Sequence, residues 1–166
     1  MTENSFIPGP GQTLAFREAL GCYGTGVAVV TTMAEGTPVA ITVNSFTSVS
    51  LDPPLVLWCL GEESNRYDAF SKAGQYAIHV MAEGQQDQTL RFARNGWDFS
   101  HADWQADASG TPILSGCLAR FDCRLHARHQ AGDHLIIVGE VLRAMHRTGK
   151  GLMFKRGQYG AFTDLL

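Results

Sequence analysis

The chain has 166 residues, of which 45% are hydrophobic and 17% charged, and its formal net charge at pH 7 is −3. This length is typical of one globular domain, and the composition excludes a disordered chain. No block of basic residues is present, so we expect no nucleic-acid partner. The longest apolar runs fall far short of the ~20 residues that span a bilayer, so we expect no membrane segment.

The first eleven residues, MTENSFIPGPG, are polar and contain several Pro and Gly residues. They predict a flexible segment at 1–11, followed by a single domain at 12–166. The segment lacks the charged start and apolar stretch of a secretion signal. The cysteines form no CxxC pair and have no zinc-site spacing, so we expect free thiols in a cytoplasmic protein. There are four: Cys22, Cys59, Cys117 and Cys123.

In the first part of the chain, apolar spacing and two stop glycines predict a helix over Gln12–Gly24. The β-branched run GVAVVTTM predicts a strand, and the turn at Glu35–Thr37 leads into a second strand. The Pro53–Pro54 pair interrupts the third strand, and PLVLWCL predicts a buried strand after it.

In the second part, the pattern predicts a capped helix over Ser64–Gly74, a strand at QYAIHVMA and a short helix over Glu83–Gly96. Trp97–Thr111 is aromatic and acidic, and we expect a loop with some strand. Two long strands follow, Leu118–His129 and His134–Arg147. Six or more strands with few short helices, and connections too short for crossovers, predict a mostly β, antiparallel barrel.

The stretch ITVNSFTSVSLDPPLVLWCL combines strand-forming residues with many small hydroxyl and amide groups. Because alternate side chains of a strand share a face, Thr42, Asn44, Ser48 and Ser50 are predicted to lie on one face. Ser48 and Ser50 would then lie about 7 Å apart, a spacing that suits two contacts to a polyhydroxyl or phosphate group. A solvent-facing strand surface is the alternative, and the pattern alone leaves both open.

Four sequence blocks occur in the order and spacing of one family: GVAVVTT, TVNSFTSVSLDPPLV, GDHLIIVGEV and FKRGQYG. Over residues 16–162 the chain resembles the flavin reductase-like family, the short-chain NAD(P)H:flavin oxidoreductases that supply reduced flavin to two-component monooxygenases. The resemblance implies a split β-barrel of Greek-key type, a homodimer, and FMN or FAD bound at the barrel's edge near the dimer interface. It also implies NADH or NADPH as co-substrate and a flavin-dependent monooxygenase as a transient partner.

The resemblance further implies which residues bind the flavin. Thr42, Asn44 and Ser45 match the contacts to the isoalloxazine ring and the ribityl chain. Ser45 has the opposite strand parity, so this role requires a bend or a backbone contact. A second motif matches the phosphate-side contacts: Ser48, Val49, Ser50 and Pro53. Arg91 and Phe92 match a family helix near the phosphate or the outer portion of an FAD.

His134 falls on the histidine of the family's GDH motif, which lies near the nicotinamide, so the resemblance implies a catalytic role. A solvent-facing histidine at a strand start is the alternative. Tyr159 matches a family tyrosine near the same site, whereas Phe154 stands where the family often carries a tyrosine. His126 and His129 have opposite strand parity, so we expect no metal site there.

The chemistry that fits is hydride transfer, which the flavin performs while the protein binds and orients both reactants. Two alternatives stay open: a flavin-binding electron carrier of the same fold, and an interaction domain without a cofactor. A yellow colour on purification would exclude the second of these. NADH oxidation with free flavin would separate the reductase from the carrier.

Overall fold

A computed structural model describes residues 4–163 of the chain. Its three helices are α1 (Thr13–Leu20), α2 (Tyr67–Ser71) and α3 (Gln86–Arg94). The first six strands are β1 (Thr25–Gly26), β2 (Ala28–Ala34), β3 (Thr37–Val43), β4 (Thr47–Leu51), β5 (Pro54–Gly61) and β6 (Gln75–Val80). The other six are β7 (Trp104–Ala106), β8 (Pro112–Leu114), β9 (Ala119–Ala131), β10 (His134–His146), β11 (Leu152–Lys155) and β12 (Gln158–Ala161).

The main sheet has seven strands in the order β3-β2-β6-β9-β10-β5-β4, and every neighbouring pair is antiparallel. β3 and β4 are therefore the two edges of the sheet, although only residues 44–46 separate them in the chain. The sheet must curl until its edges meet at these residues, and β6 returns beside β2 as in a Greek key. The predicted antiparallel split barrel is confirmed.

The barrel interior is filled by alternate residues of its strands. On β5, for example, Val56, Trp58 and Leu60 are buried, whereas the intervening residues are only half-buried. The ring of Trp58 meets the ring of Phe70 from α2 edge-on, with centroids 5.4 Å apart. The same spacing on other strands completes this core with Ala28, Val30, Val39, Ile41, Val43, Tyr76, Ile78, Cys123, Leu135 and Ile137.

A second core lies on the outer side of β2 and β3, beneath α3. Phe92 of α3 is fully buried there and packs on Phe99, with ring centroids 4.9 Å apart. Phe99 also meets Trp104 edge-on at 5.3 Å. The aromatic segment Trp97–Trp104 therefore contributes to the core through Phe99, which is only 7% exposed, whereas Trp97 is 39% exposed.

The helices are shorter than the sequence predicts, while the strands agree closely. The predicted helix Gln12–Gly24 ends at Leu20, and β1 begins soon after it. The predicted capped helix Ser64–Gly74 is only Tyr67–Ser71, and its N-cap Arg66 makes no side-chain capping bond. A 3₁₀ turn at Glu83–Gln85 and α3 together match the predicted helix Glu83–Gly96. The two long predicted strands correspond to β9 and β10.

Three predictions concern the chain as a whole. Residues 4–11 contain no helix or strand, and the division at residue 12 stays a prediction. All four cysteines are free, and they range from the buried Cys117 and Cys123 to the exposed Cys22. Within residues 4–163, no helix is both long and apolar enough to cross a membrane.

His79 of β6 is a fully buried histidine held between two backbone groups. The N–H of Leu114 donates to Nε2 at 3.1 Å, so Nδ1 carries the proton and donates to the carbonyl of Val29, also at 3.1 Å. The imidazole is therefore neutral and joins β6 to β2 and β8. Burial lowers its pKa to about 4 from the ordinary value of 6.5.

We predict that this histidine makes the protein sensitive to acid. Between these two pKa values the unfolded chain binds the proton more readily than the folded one. The free energy of unfolding therefore falls as the pH drops from about 6.5 towards 4, by about 3 kcal/mol in total, and levels off below. In urea unfolding at several pH values, His79→Asn should be less stable at neutral pH but lose this part of the slope. Equal slopes in both proteins would contradict the prediction, since the other five histidines are common to both.

Candidate functional site

A cavity of about 700 Å³ lies where the two edges of the barrel meet. The linker residues Asn44–Phe46 form one side of it, and β1 and the end of α1 form another. Phe154 and Arg156, from β11 and the turn after it, close a third side. No Asp or Glu is among the described residues that line this cavity, whereas the cations of Arg17 and Arg156 are.

Two polar side chains in this cavity have no partner within residues 4–163. Asn44 is exposed and its amide makes no hydrogen bond in this range. The hydroxyl of Thr25 is buried and likewise has no hydrogen-bond partner there. Since buried polar groups are normally paired, the Thr25 hydroxyl is a position where a ligand's polar atom would restore a hydrogen bond. Asn44 can both donate and accept.

Ser45 has a structural role that the sequence did not reveal. Its hydroxyl accepts a hydrogen bond from the N–H of Cys59 at 2.9 Å and lies 3.5 Å from the carbonyl of the same residue. The last pair between β4 and β5 in this direction is Thr47 with Leu57, so Ser45 stands beside Cys59, two positions further along the same register. The side chain thus continues the ladder across the bend that the prediction for Ser45 required.

Thr42 is also committed to the fold, because its hydroxyl donates to the carbonyl of Thr89 in α3 at 2.9 Å. This bond ties α3 to β3, and a second tie joins the N–H of Ala40 to the carbonyl of Gly96 at 2.8 Å. A Cβ on Gly96 would collide with the Ala40 carbonyl oxygen, so this close approach requires glycine. Thr42 therefore positions the helix beside the linker, and its predicted contact to a flavin stays a prediction.

The predicted phosphate-side residues follow β4 away from the cavity. Ser48 pairs with Val56 and Ser50 with Leu55, so Val49 is an extra residue, a β-bulge. Adjacent residues of β5 point to opposite faces, and their partners Ser48 and Ser50 do as well. The expectation that these two serines share a face is therefore wrong, because it assumed an unbroken strand. Together with Pro53, these residues lie outside the cavity that contains Asn44.

Arg91, Phe92 and Tyr159 do not join this cavity either. Arg91 lines a separate cavity of about 520 Å³ on the outer face of α3. Phe92 has a fully buried ring, and its carbonyl accepts from the guanidinium of Arg66 at 3.0 Å. Tyr159 packs edge-on against Phe154 at 5.1 Å and lines a neighbouring cavity of about 420 Å³, which shares Gly24, Phe154 and Arg156 with the Asn44 cavity. The predicted binding roles of all three stay predictions.

His134 opens β10 at the same end of the barrel and is half-exposed. Its Nδ1 lies 2.7 Å from the Oδ1 of Asp133. This hydrogen bond lowers the pKa of the Asp133 carboxyl below its usual value, and the more distant guanidinium of Arg17 contributes in the same direction. Arg17 also lines the Asn44 cavity, so Asp133 lies within electrostatic reach of the cavity wall.

Several residues of this cavity were missed by the sequence analysis: Arg17, Thr25 and Arg156. Each comes from a part of the chain remote from the Asn44 linker, and only the tertiary fold brings them together. One signal was available for Arg156, which precedes a glycine in a tight turn where Asn is favoured.

Comparison with known proteins agrees with this architecture. The flavin reductase-like domain family matches residues 20–163. FMN reductase (NADH) of Agrobacterium fabrum is 52% identical over 161 residues, which cover 97% of this chain and 92% of that protein. The reductase subunit of a flavin-dependent monooxygenase of Rhodococcus jostii is 40% identical, covering 87% of this chain and 75% of its own length.

One solved structure has a similar fold. It is the NADH:FAD oxidoreductase of Streptomyces globisporus in complex with NAD and FAD fragments, which superposes with a TM-score of 0.88 at 33% identity. The match covers 96% of this chain and 98% of that one. The antiparallel barrel, the family match over most of the chain and these relatives lead to one conclusion: the chain belongs to the flavin reductase-like domain family.

Proposed function

We propose that this protein is an NADH-dependent flavin reductase that passes reduced flavin to a separate monooxygenase. The single observation that carries the proposal is the cavity at the split of the barrel, with its unpaired Asn44 amide and Thr25 hydroxyl. The relatives support the reaction, since one is named FMN reductase (NADH) and another is a monooxygenase reductase subunit.

The residues of the cavity fit a flavin. A volume of about 700 Å³ lies within the range of small-molecule sites. The isoalloxazine ring has a polar edge with donors and acceptors, which Asn44 and Thr25 can meet, and an apolar body that can pack on Phe46 and Phe154. When bound, the flavin supplies the hydride acceptor. The chain itself has to bind the ring and hold the nicotinamide against it, and the cavity lining brings no Asp or Glu side chain close to the ring.

His134 is the residue we assign to the nicotinamide. Its Nδ1 is held by Asp133, so Nε2 is the nitrogen left to meet a substrate. A Cβ on Gly61 would lie 3.5 Å from this Nε2, and glycine therefore keeps the neighbouring space open. A fixed ring orientation with one free nitrogen suits a hydrogen bond to the carboxamide of the nicotinamide.

Reduction of free flavin by NADH tests the proposal, with FMN, FAD and riboflavin offered in turn. We expect NADH oxidation with at least one of them. Asn44→Ala should raise the dissociation constant of that flavin about tenfold, the value of one to two hydrogen bonds. Asn65→Ala is the matched control, because Asn65 is an exposed asparagine outside the cavity. Flavin binding without NADH oxidation would identify a carrier instead, and no flavin binding at all would exclude both functions.

His134→Ala should slow reduction of the pre-bound flavin or raise the KM for NADH, while the affinity for flavin stays nearly unchanged. Loss of one orienting hydrogen bond predicts an effect between a few-fold and a hundredfold. His129→Ala is the control, since His129 is exposed on the neighbouring strand. Stopped-flow absorbance separates the outcomes. An unaltered reduction rate at all NADH concentrations would end the nicotinamide role, and a collapse of flavin affinity would assign His134 to the flavin.

We also propose a homodimer in the cytoplasm. Support for the dimer comes from large apolar side chains exposed on β4 and β10, with Leu51 95%, Leu142 55% and Val49 49% exposed. Scattered apolar residues are ordinary on a surface, but bulky ones along two strands favour burial by a second copy. Ser48, Ser50 and Pro53, the residues predicted to contact the flavin phosphate, lie in β4 or directly after it, at the same edge of the sheet. The four free cysteines support a reducing compartment.

Light scattering at micromolar concentration should give twice the chain mass of 18.1 kDa. Leu51→Lys should shift the mass towards that of one chain, because a charge at this position is costly to bury. Leu14→Lys, on the exposed face of α1, is the matched control. A wild-type mass of one chain, with flavin present, would refute the dimer.

A further inference from the structure

The cavity of about 520 Å³ on the outer face of α3, called the α3 cavity below, shares no lining residue with the Asn44 cavity. Its walls come from α3, from the loop before β7 and from the residues directly after β8. Its volume lies within the range of small-molecule sites. One cation and two carboxylates line it: Arg91, Asp87 and Asp103.

The charged groups of the α3 cavity are not paired with one another. Within residues 4–163, the carboxylates of Asp87 and Asp103 have no Lys, Arg or His nitrogen within 4.0 Å, and the guanidinium of Arg91 has no carboxylate oxygen within that distance. Asp98 is within electrostatic reach of Arg91, but its Oδ1 already accepts from the hydroxyl and the N–H of Ser100. Charges of both signs are therefore available to a ligand.

His101 is an independent indication of a ligand at this place. Its side chain lines the α3 cavity and is only 8% exposed, and neither ring nitrogen has a hydrogen-bond partner in the described part of the chain. Oδ2 of Asp98 lies 4.0 Å from Nδ1, which is too far for a hydrogen bond. The ring packs on the ring of Phe92, with centroids 4.7 Å apart, so it is held in the cavity wall. Since buried polar groups are normally paired, this imidazole is a position for a polar atom of a ligand.

The walls of the α3 cavity are joined by hydrogen bonds of Gln85. Its Oε1 accepts from the N–H of Ala82 at 3.1 Å, and its Nε2 donates to Oε1 of Gln88 at 3.1 Å and to the carbonyl of Ser115 at 2.9 Å. A Cβ on Gly116 would lie 3.3 Å from this Nε2, and the φ of Gly116 is 80°, so glycine is required at this close approach. The start of α3 and the segment after β8 are thereby held together, and the cavity between them is preformed.

The charges of the α3 cavity define the class of ligand. A molecule that pairs with Arg91, Asp87 and Asp103 together carries one anion and two cations, and each pair can form charge-assisted hydrogen bonds. A polyamine would place a cation against Arg91, and a dicarboxylate would place an anion against an aspartate. A basic amino acid has the required set, because it combines an α-carboxylate, an α-ammonium group and a cationic side chain.

We propose that the α3 cavity binds a basic amino acid such as lysine, with the carboxylate on Arg91 and the two cations on Asp87 and Asp103. The imidazole of His101 provides a further hydrogen bond to the bound molecule. This site is separate from the cavity of the proposed function and does not depend on that function.

Calorimetric titration of the purified protein tests the proposal with L-lysine and three analogues of similar length that each lack one charged group. L-norleucine lacks the side-chain ammonium, 6-aminohexanoate lacks the α-ammonium, and cadaverine lacks the carboxylate. We expect saturable binding of lysine with a dissociation constant of about 1 mM or below. Each analogue should bind about tenfold or more weakly, as for loss of a hydrogen bond to a charged group.

Two substitutions at exposed positions assign the charges of the ligand to the cavity. Arg91→Gln should weaken lysine binding about tenfold but should not weaken cadaverine binding, because cadaverine has no carboxylate. Asp103→Asn should weaken the binding of both molecules. The matched controls are Arg94→Gln in α3 and Asp68→Asn in α2, which are exposed residues outside the cavity and should leave both affinities unchanged.

His101→Phe keeps an aromatic ring against Phe92 but removes both ring nitrogens. It should weaken lysine binding without lowering the thermal stability of the ligand-free protein, because the unpaired nitrogens contribute no hydrogen bond to the fold. If this variant fails to fold, the substitutions at Arg91 and Asp103 still decide the proposal.

Four results would overturn the inference. No saturable binding of lysine or arginine up to about 10 mM would exclude the site. Equal affinities for lysine and cadaverine would mean that the aspartates attract any cation and that Arg91 takes no part. Unchanged lysine affinity in both the Arg91 and the Asp103 variant would place the ligand elsewhere on the protein. A lower flavin affinity in Arg91→Gln, with lysine binding unchanged, would assign Arg91 to the flavin.

Discussion

Three residues must connect the two edges of a seven-stranded sheet, and most of the molecule follows from that constraint. Neighbouring strands lie about 4.8 Å apart, so a flat sheet of this size would separate its edges by about 29 Å. From Val43 to Thr47 an extended chain reaches about 14 Å at most. The sheet has to roll up, and the linker Asn44–Phe46 lies at the seam where its edges approach each other.

The seam explains why a strand-like stretch carries so many small polar side chains. A chain that crosses from one edge to the other leaves the hydrogen-bond ladders of both, and its neighbours need other partners. The Ser45 hydroxyl accepts a hydrogen bond from the N–H of Cys59, and the Thr42 hydroxyl donates one to the carbonyl of Thr89 in α3. The side chain of Asn44, between them in the chain, makes no hydrogen bond within the described residues and lines the cavity. The polar stretch therefore both joins the two edges of the sheet and lines the cavity between them.

The sequence was sufficient for the strands and for the family, but not for the directions of side chains. Alternation and turn residues located β9 and β10 to within two residues at each end, because long hairpins carry strong local signals. Face assignments failed at Ser48 and Ser50, since one bulged residue reverses every position after it. The helix at Ser64–Gly74 was overestimated: the Ser64 hydroxyl accepts from the N–H of Arg66 at 3.2 Å, but residues 65–66 form a turn and the helix begins only at Tyr67. Arg17, Thr25 and Arg156 were missed because their proximity to Asn44 is wholly tertiary.

The pairing of β1 with β11 determines when the cavity can form as the chain is synthesised. Thr25 lies opposite Phe154, so the wall of the cavity joins an early part of the chain to one of its last strands. Pairings between such distant segments form slowly, because a long loop must close before the contact is made. The hairpin of β2 and β3 can assemble while later residues are still inside the ribosome. The cavity beside Asn44 is therefore complete only after β11 has left the ribosome.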